Sequence, residues 1–175
     1  ASFPDERTKT RCARSLAFAY AITDSASLAQ RAADILRSVR FPPRGGDLGE
    51  PDKEAEVVAH YALAYDLLHG FLARDPDALA DARLRLAEEA ERLYVGLRVS
   101  LGPLSLALHD TPHLDNWHLR VYGALGLAAL VLSDFGAGTG HPPQAWAQRA
   151  FDLVTAALEY QSDTRDGGWA EGPFY

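Results

Sequence analysis

Two short stretches of this chain hold the residue types that acid–base and anion chemistry needs: HDTPHLDNWH, residues 109–118, and DGGWAEGPFY, residues 166–175. The first puts His109, His113 and His118 within ten positions of one another, together with Asp110 and Asp115. As a zinc site it is poorly built. Zinc ligands keep a fixed spacing and take a remote partner, whereas this segment straddles a loop and a helix start, so no metal is expected. Anion binding fits the same residues better. Asp115 or Asn116 is a good N-cap for the apolar run that follows. Asn116 and His118 then lie in the first turn, where free backbone N–H groups and the helix dipole favour negative charge. An amide and an imidazole there can hold a carboxylate. The plainer alternative is that Asn116 only caps and His118 only packs, and on residue types alone it has the better claim.

The second stretch ends on Tyr175, whose phenol can move protons if a cation or a desolvated donor lowers its pKa. Glu171 can orient a base or bind hydroxyls, and Trp169 offers a face for a sugar ring. His113 is a further candidate substrate contact. A simple packed loop is the competing account of this strip, and for Trp169 alone it is preferred.

These residues need elements to position them, and the pattern supplies helices. Helical periodicity covers most of the chain. It predicts helices over 8–22, 27–41, 53–72, 77–101, 116–132 and 143–161. Ser25 or Ser27 is expected to cap the second, and Pro/Gly-rich loops fall at 42–52 and 135–143. In the fourth, Leu79, Ala82, Leu86, Ala90, Leu93, Leu97 and Leu101 form one apolar stripe. Arg83, Arg85, Glu88, Glu89 and Arg92 are expected to form its solvated face. The fifth, NWHLRVYGALGLAALVL, is apolar on nearly all sides and belongs in the middle of an assembly; Gly123 and Gly126 point to close approach by a neighbour. His60 and His69, nine apart on the third helix, are too far from each other to share an ion. His141 is expected at the surface. The fold class is all-α, with antiparallel helices paired about every fifty residues, as in an array or an incomplete (α/α) toroid; a compact bundle is the simpler alternative.

With 175 residues the chain has the length of one domain, 1–175, large enough to bury a core. A hydrophobic fraction of 47% and a charged fraction of 23% are those of an ordinary globular protein. The net charge of −7 argues against nucleic acid and anionic membranes as partners, though not against an anion in a local pocket. No apolar run reaches the ~20 residues that span a bilayer, and no secretory leader opens the chain. The lone Cys12 excludes an internal disulfide and is expected to be buried. With no Met at position 1 or elsewhere, the chain is expected to have been trimmed or processed.

The stretches DNWHLRVYGALGLAAL, 115–130, and DGGWAEGPFY, 166–175, resemble the heparinase II/III-like polysaccharide lyases and their alginate-lyase relatives. ALAYDLL, 62–68, and AFAYAIT, 17–23, are in keeping. The resemblance implies an N-terminal part of an incomplete α/α toroid, followed in the family by further toroid helices and β-sandwich domains. It implies β-elimination on an anionic, uronate-containing polysaccharide and no cofactor. By resemblance, Asn116 or His118 neutralises the uronate carboxylate, and Tyr175 takes the C5 proton and protonates the leaving oxygen. The family's later catalytic His has no counterpart within these residues. The chain alone is therefore expected to be inactive, to need the remainder of its parent, and to self-associate through exposed apolar surface. The resemblance favours a periplasmic or secreted location. Two rival readings stand beside it: glycoside hydrolysis on the same toroid by Asp166 and Glu171, which requires two carboxylates about 5–10 Å apart, and a non-catalytic helical array that binds a glycan or a protein.

Overall fold

The computed structural model describes residues 3–41, 51–96, 98–101, 104–107, 116–136 and 138–162, with side chains described over 6–41, 54–95, 119–136 and 138–159. Six helices dominate these residues: α1 (Phe3–Thr23), α2 (Ala26–Ser38), α3 (Pro51–Leu72), α4 (Pro76–Gly96), α5 (Asn116–Val131) and α6 (Pro143–Ser162). The protein is thus all-α in character. Three of the helices open on proline, which suits a first turn because its missing N–H would have had no intrahelical partner. Asp75 caps α4 through its side chain, accepting the Ala78 N–H at 3.2 Å. Ser25 stands at the N-cap of α2 but makes no side-chain cap bond; its hydroxyl meets that of Ser27 at 3.0 Å.

Consecutive helices pair antiparallel. The Glu6 carboxylate of α1 accepts the Arg40 N–H just beyond α2. Arg83 and Arg92 of α4 reach back to Tyr65 and Glu54 of α3 in reverse order. A Cβ on Gly126 of α5 would touch Ala150 of α6 at 3.4 Å, so that glycine does mark a close approach. Gly123 has open space beside it and marks none. Asp24 takes a positive φ of 54° in the short turn between α1 and α2, and Gly138, at φ 122°, does so in the longer loop before α6, where a side chain would be strained.

The hairpins stack in register. α3 packs extensively on both α1 and α5, while α4 touches α3, α5 and α6. The odd-numbered helices therefore form one row, with α3 at its centre. The row is parallel. Arg7 and Arg11 meet Glu56, Arg14 meets His60, and Tyr20 meets Phe71, so contacts advance together along α1 and α3. Likewise Asp134, just past the end of α5, reaches Arg83 beside Tyr65, toward the end of α3. Alanines at 13, 17, 29, 32, 33, 55, 62, 64, 128 and 129 are buried. Such small residues let helix axes approach at the near end of the usual 8–10 Å range. Around them pack Tyr61, Tyr65, Leu68, Leu86, Leu125 and Trp146.

Several expectations need correction. α4 ends at Gly96, not near 101. An antiparallel hairpin follows, β1 (Arg98–Leu101) paired with β2 (Leu104–Ala107), in the register Val99↔Leu106 and Ser100↔Ser105. The alternation VSL…LSL about Gly102-Pro103 is a strand pattern, and the leucine stripe continued into it by coincidence of spacing. α2 ends at Ser38, so Phe41 lies beyond it. Cys12 is exposed, because α1 buries Thr10, Ala13 and Ala17 and Cys12 stands ~100° round the helix from Ala13.

The charged face of α4 is not simply solvated either. Arg83 donates to the Tyr65 hydroxyl at 2.7 Å and pairs with Asp134. Arg85 donates to the carbonyls of Leu36, Arg37 and Val39 at the end of α2, the first of which also accepts the Val39 N–H. Arg92 pairs with Glu54 and Glu89, and Glu89 is buried. Of that face, Glu88 keeps the exposure expected of it. Arg83 and Arg85 act as polar staples between hairpins, and Arg92 fastens α4 to α3 within one.

Candidate functional site

The anion site read from the sequence centres on the start of α5, and the backbone helix begins at Asn116, with Trp117 and His118 in its first turn. The side chains of these three lie outside the described residues, as do His113, Trp169, Glu171 and Tyr175. What the described residues fix is where this helix end stands. α5 is 16 residues long, or ~24 Å, and its far end lies beside the Tyr65 region of α3. Fourteen residues upstream of Tyr65, or ~21 Å, is Pro51, where α3 begins. In this parallel row the beginnings of α3 and α5 are therefore level, and the N-terminal half of α1 sits at the same end.

That end carries a charged cluster. Arg7 and Arg11 of α1 both bind the Glu56 carboxylate of α3; the Arg11 Nε donates to Oε1 at 2.6 Å. Arg14 lies one turn further on, its guanidinium 3.1 Å from His60 Nδ1. A guanidinium only donates, so Nδ1 accepts and the ring proton sits on Nε2, which is 3.4 Å from Glu56 Oε1. Burial pushes the Glu56 carboxyl up, but the hydrogen bonds and charges of Arg11 and Arg7 outweigh it and hold the group below its usual value. Burial, then the Arg14 charge, push His60 down, against the pull of Glu56.

Both shifts have the same sign for folding. A depressed folded pKa gives stability that is present above the unfolded value and lost as pH falls. For His60 that loss begins below 6.5, the unperturbed value. His60→Gln keeps a hydrogen-bonding ring-sized group and removes the titration. A plot of Tm against pH is expected to fall less steeply below 6.5 in that variant than in the unsubstituted chain. Parallel curves would refute the assignment.

A second polar cluster closes the α5–α6 loop onto α4. Glu91 takes the Trp146 indole N–H at 3.0 Å, the His141 backbone N–H at 3.1 Å and His141 Nδ1 at 2.8 Å. The His141 ring also lies 4.5 Å from that of Tyr94. His141 is half-exposed, as a surface residue, yet it is held at two points. Gly140 passes so close that a Cβ there would stand 2.8 Å from Glu91 Oε1. This cluster fastens the loop to α4.

Among the described residues no three His, Cys, Asp or Glu side chains gather as metal ligands would. No described helix is long and apolar enough to cross a membrane. His60 and His69 serve separate neighbours, Arg14 with Glu56 and the Tyr65 ring. Of the described tyrosines, Tyr61 is buried and burial pushes its phenol up to about 12. Burial also raises Tyr65, against the donor Arg83. Neither is suited to take a proton near neutrality.

Sequence reasoning missed the arginine cluster, although its signal was present. Arg7, Arg11 and Arg14 recur at helical spacing on α1, as Glu56 and His60 do on α3. What the sequence lacked was the knowledge that these two faces meet. Compared with family models, curated proteins and solved structures, the chain gives no match.

Proposed function

We propose that this chain is the N-terminal helical part of a polysaccharide lyase that cleaves uronate-containing polymers by β-elimination, within an incomplete α/α toroid. The observation that carries the reading is the start of α5 at Asn116, the helix-terminal setting that the residue types of DNWH suit. Three stacked antiparallel hairpins with a parallel row of odd-numbered helices are in keeping with part of a toroid.

In this reading the α5 N-terminus and either Asn116 or His118 bind the uronate carboxylate. Neutralising it makes the C5 proton more acidic and stabilises the enolate-like charge that develops as the proton leaves. Tyr175 removes that proton and returns one to the leaving oxygen, while Glu171, Trp169 and His113 hold the sugar. The C5–H and C4–O bonds break, a C4–C5 double bond forms, and no water is consumed.

The unsaturated uronate product absorbs in the ultraviolet, which gives the assay. In the parent protein incubated with uronate polymers, Asn116→Ala or His118→Ala is expected to lower turnover by about 10²-fold or more. The residue that faces the carboxylate shows the larger loss. Undiminished turnover in both variants would dismiss the carboxylate role. Release of saturated sugars, with no double bond, would point to hydrolysis.

A further inference from the structure

The arginine cluster at the α1–α3 seam is not used by the reaction just described. Arg7 and Arg11 share one carboxylate, Glu56, while Arg14 sits on the His60 ring. Elsewhere the balance is the reverse: Arg37 lies near both Asp34 and Asp75, and Arg92 pairs with both Glu54 and Glu89. On a chain of net charge −7 the seam is, among the described residues, a local excess of positive charge. The Arg11 side chain is 55% exposed, so the patch is open to solvent. Successive arginines stand about 5–6 Å apart on the helix surface, a spacing that suits a ligand with repeated charges better than a single ion. The patch also lies at the same end of the parallel row as Asn116, two helix positions away, or roughly 20 Å at ordinary axial spacing.

We infer that Arg11 and Arg14, with Arg7 and His60 behind them, form a distal subsite that binds carboxylates of the polymer several sugars away from the α5 terminus. The inference takes its ligand from the proposed function. A polyuronate laid across the helix ends would place one carboxylate at α5 and others over α1. Remote binding of this kind holds a long chain in register and favours long substrates over short ones.

The test titrates the parent protein with a hexameric oligouronate, with its fully methyl-esterified form, and with an oligothymidylate of similar charge. Arg11→Gln and Arg14→Gln are each expected to weaken oligouronate binding by roughly tenfold and to lessen its dependence on salt. Arg14→Lys keeps the charge and is expected to restore most of the affinity. The ester is expected not to bind. Unchanged affinity in folded Arg11→Gln, or oligothymidylate bound as tightly as oligouronate, would overturn the subsite. If Arg14→Gln fails to fold, Arg11→Gln and Arg14→Lys still decide the matter.

Turnover separates this inference from the reading it rests on. Cleavage with an unaltered KM in the arginine variants defeats the subsite and leaves the lyase standing. Absence of cleavage, with oligouronate binding that still depends on Arg11, defeats the lyase and leaves the subsite.

Discussion

Replacing Tyr175 with phenylalanine is expected to lower turnover of a uronate polymer by about 10³-fold while changing its binding by less than about threefold. The substitution removes one oxygen and keeps the ring, so binding of the polymer is expected to survive. What disappears is the group that, on the proposed function, takes the C5 proton and returns one to the leaving oxygen. A general acid–base group is worth about 10²–10⁴ in rate, and one phenol serving both steps belongs toward the upper part of that range. The measurement is ultraviolet absorbance of the unsaturated product under saturating polymer, with binding followed separately. Wild-type turnover in the phenylalanine variant would remove Tyr175 from the mechanism. Of the described tyrosines, Tyr61 and Tyr65 offer little as a substitute, since burial raises both.

The largest expected effect on stability lies far from that chemistry. Glu91→Ala strips the partner from three donors at once: the Trp146 indole, the His141 backbone N–H and the His141 ring. Trp146 is fully buried, so water cannot readily replace the lost acceptor. A buried donor left without a partner costs about 1–3 kcal/mol. The whole cluster, partly open at His141, is expected to lose about 3 kcal/mol. In a chain of this size that lowers Tm by roughly 6–12 °C. Gly140→Ala, which pushes a methyl toward the same carboxylate, is expected to lower Tm in the same direction by a smaller amount. Thermal unfolding followed by circular dichroism reads both. A Tm within about 2 °C of the unsubstituted chain for Glu91→Ala would show that the loop is fastened by other contacts.

Particular residues show how far the sequence could be read. The extent of α5 was legible almost to the residue, because a continuous apolar run between HLDN and a Gly/Pro loop admits little else. The hairpin rhythm was legible too, since helices alternated with breakers about every fifty residues. The end of α4 was not. Leu101 continued its stripe by spacing alone, and the pairing of β1 with β2 competed successfully for that residue. Glu91 was passed over because its partners, His141 and Trp146, lie some fifty residues away. Arg83, Arg85 and Arg92 looked solvated for the same reason. Periodicity reports which face of a helix is polar; it does not report whether another helix covers that face. Of the candidate site, the sequence supplied residue types and a helix start. The level alignment of the α1, α3 and α5 beginnings needed the pairings of Arg14 with His60 and Arg83 with Asp134.

The proposed function requires that Asn116 or His118 and the Tyr175 phenol face one uronate. A crystal structure of the parent protein carrying Tyr175→Phe, soaked with an oligouronate it cannot turn over, tests this most directly. The expected result is a carboxylate within hydrogen-bond distance, about 2.7–3.2 Å, of Asn116 or His118, with the ring at position 175 against C5 of the same sugar. A structure in which α5's first turn and position 175 open to different sides of the protein would contradict it.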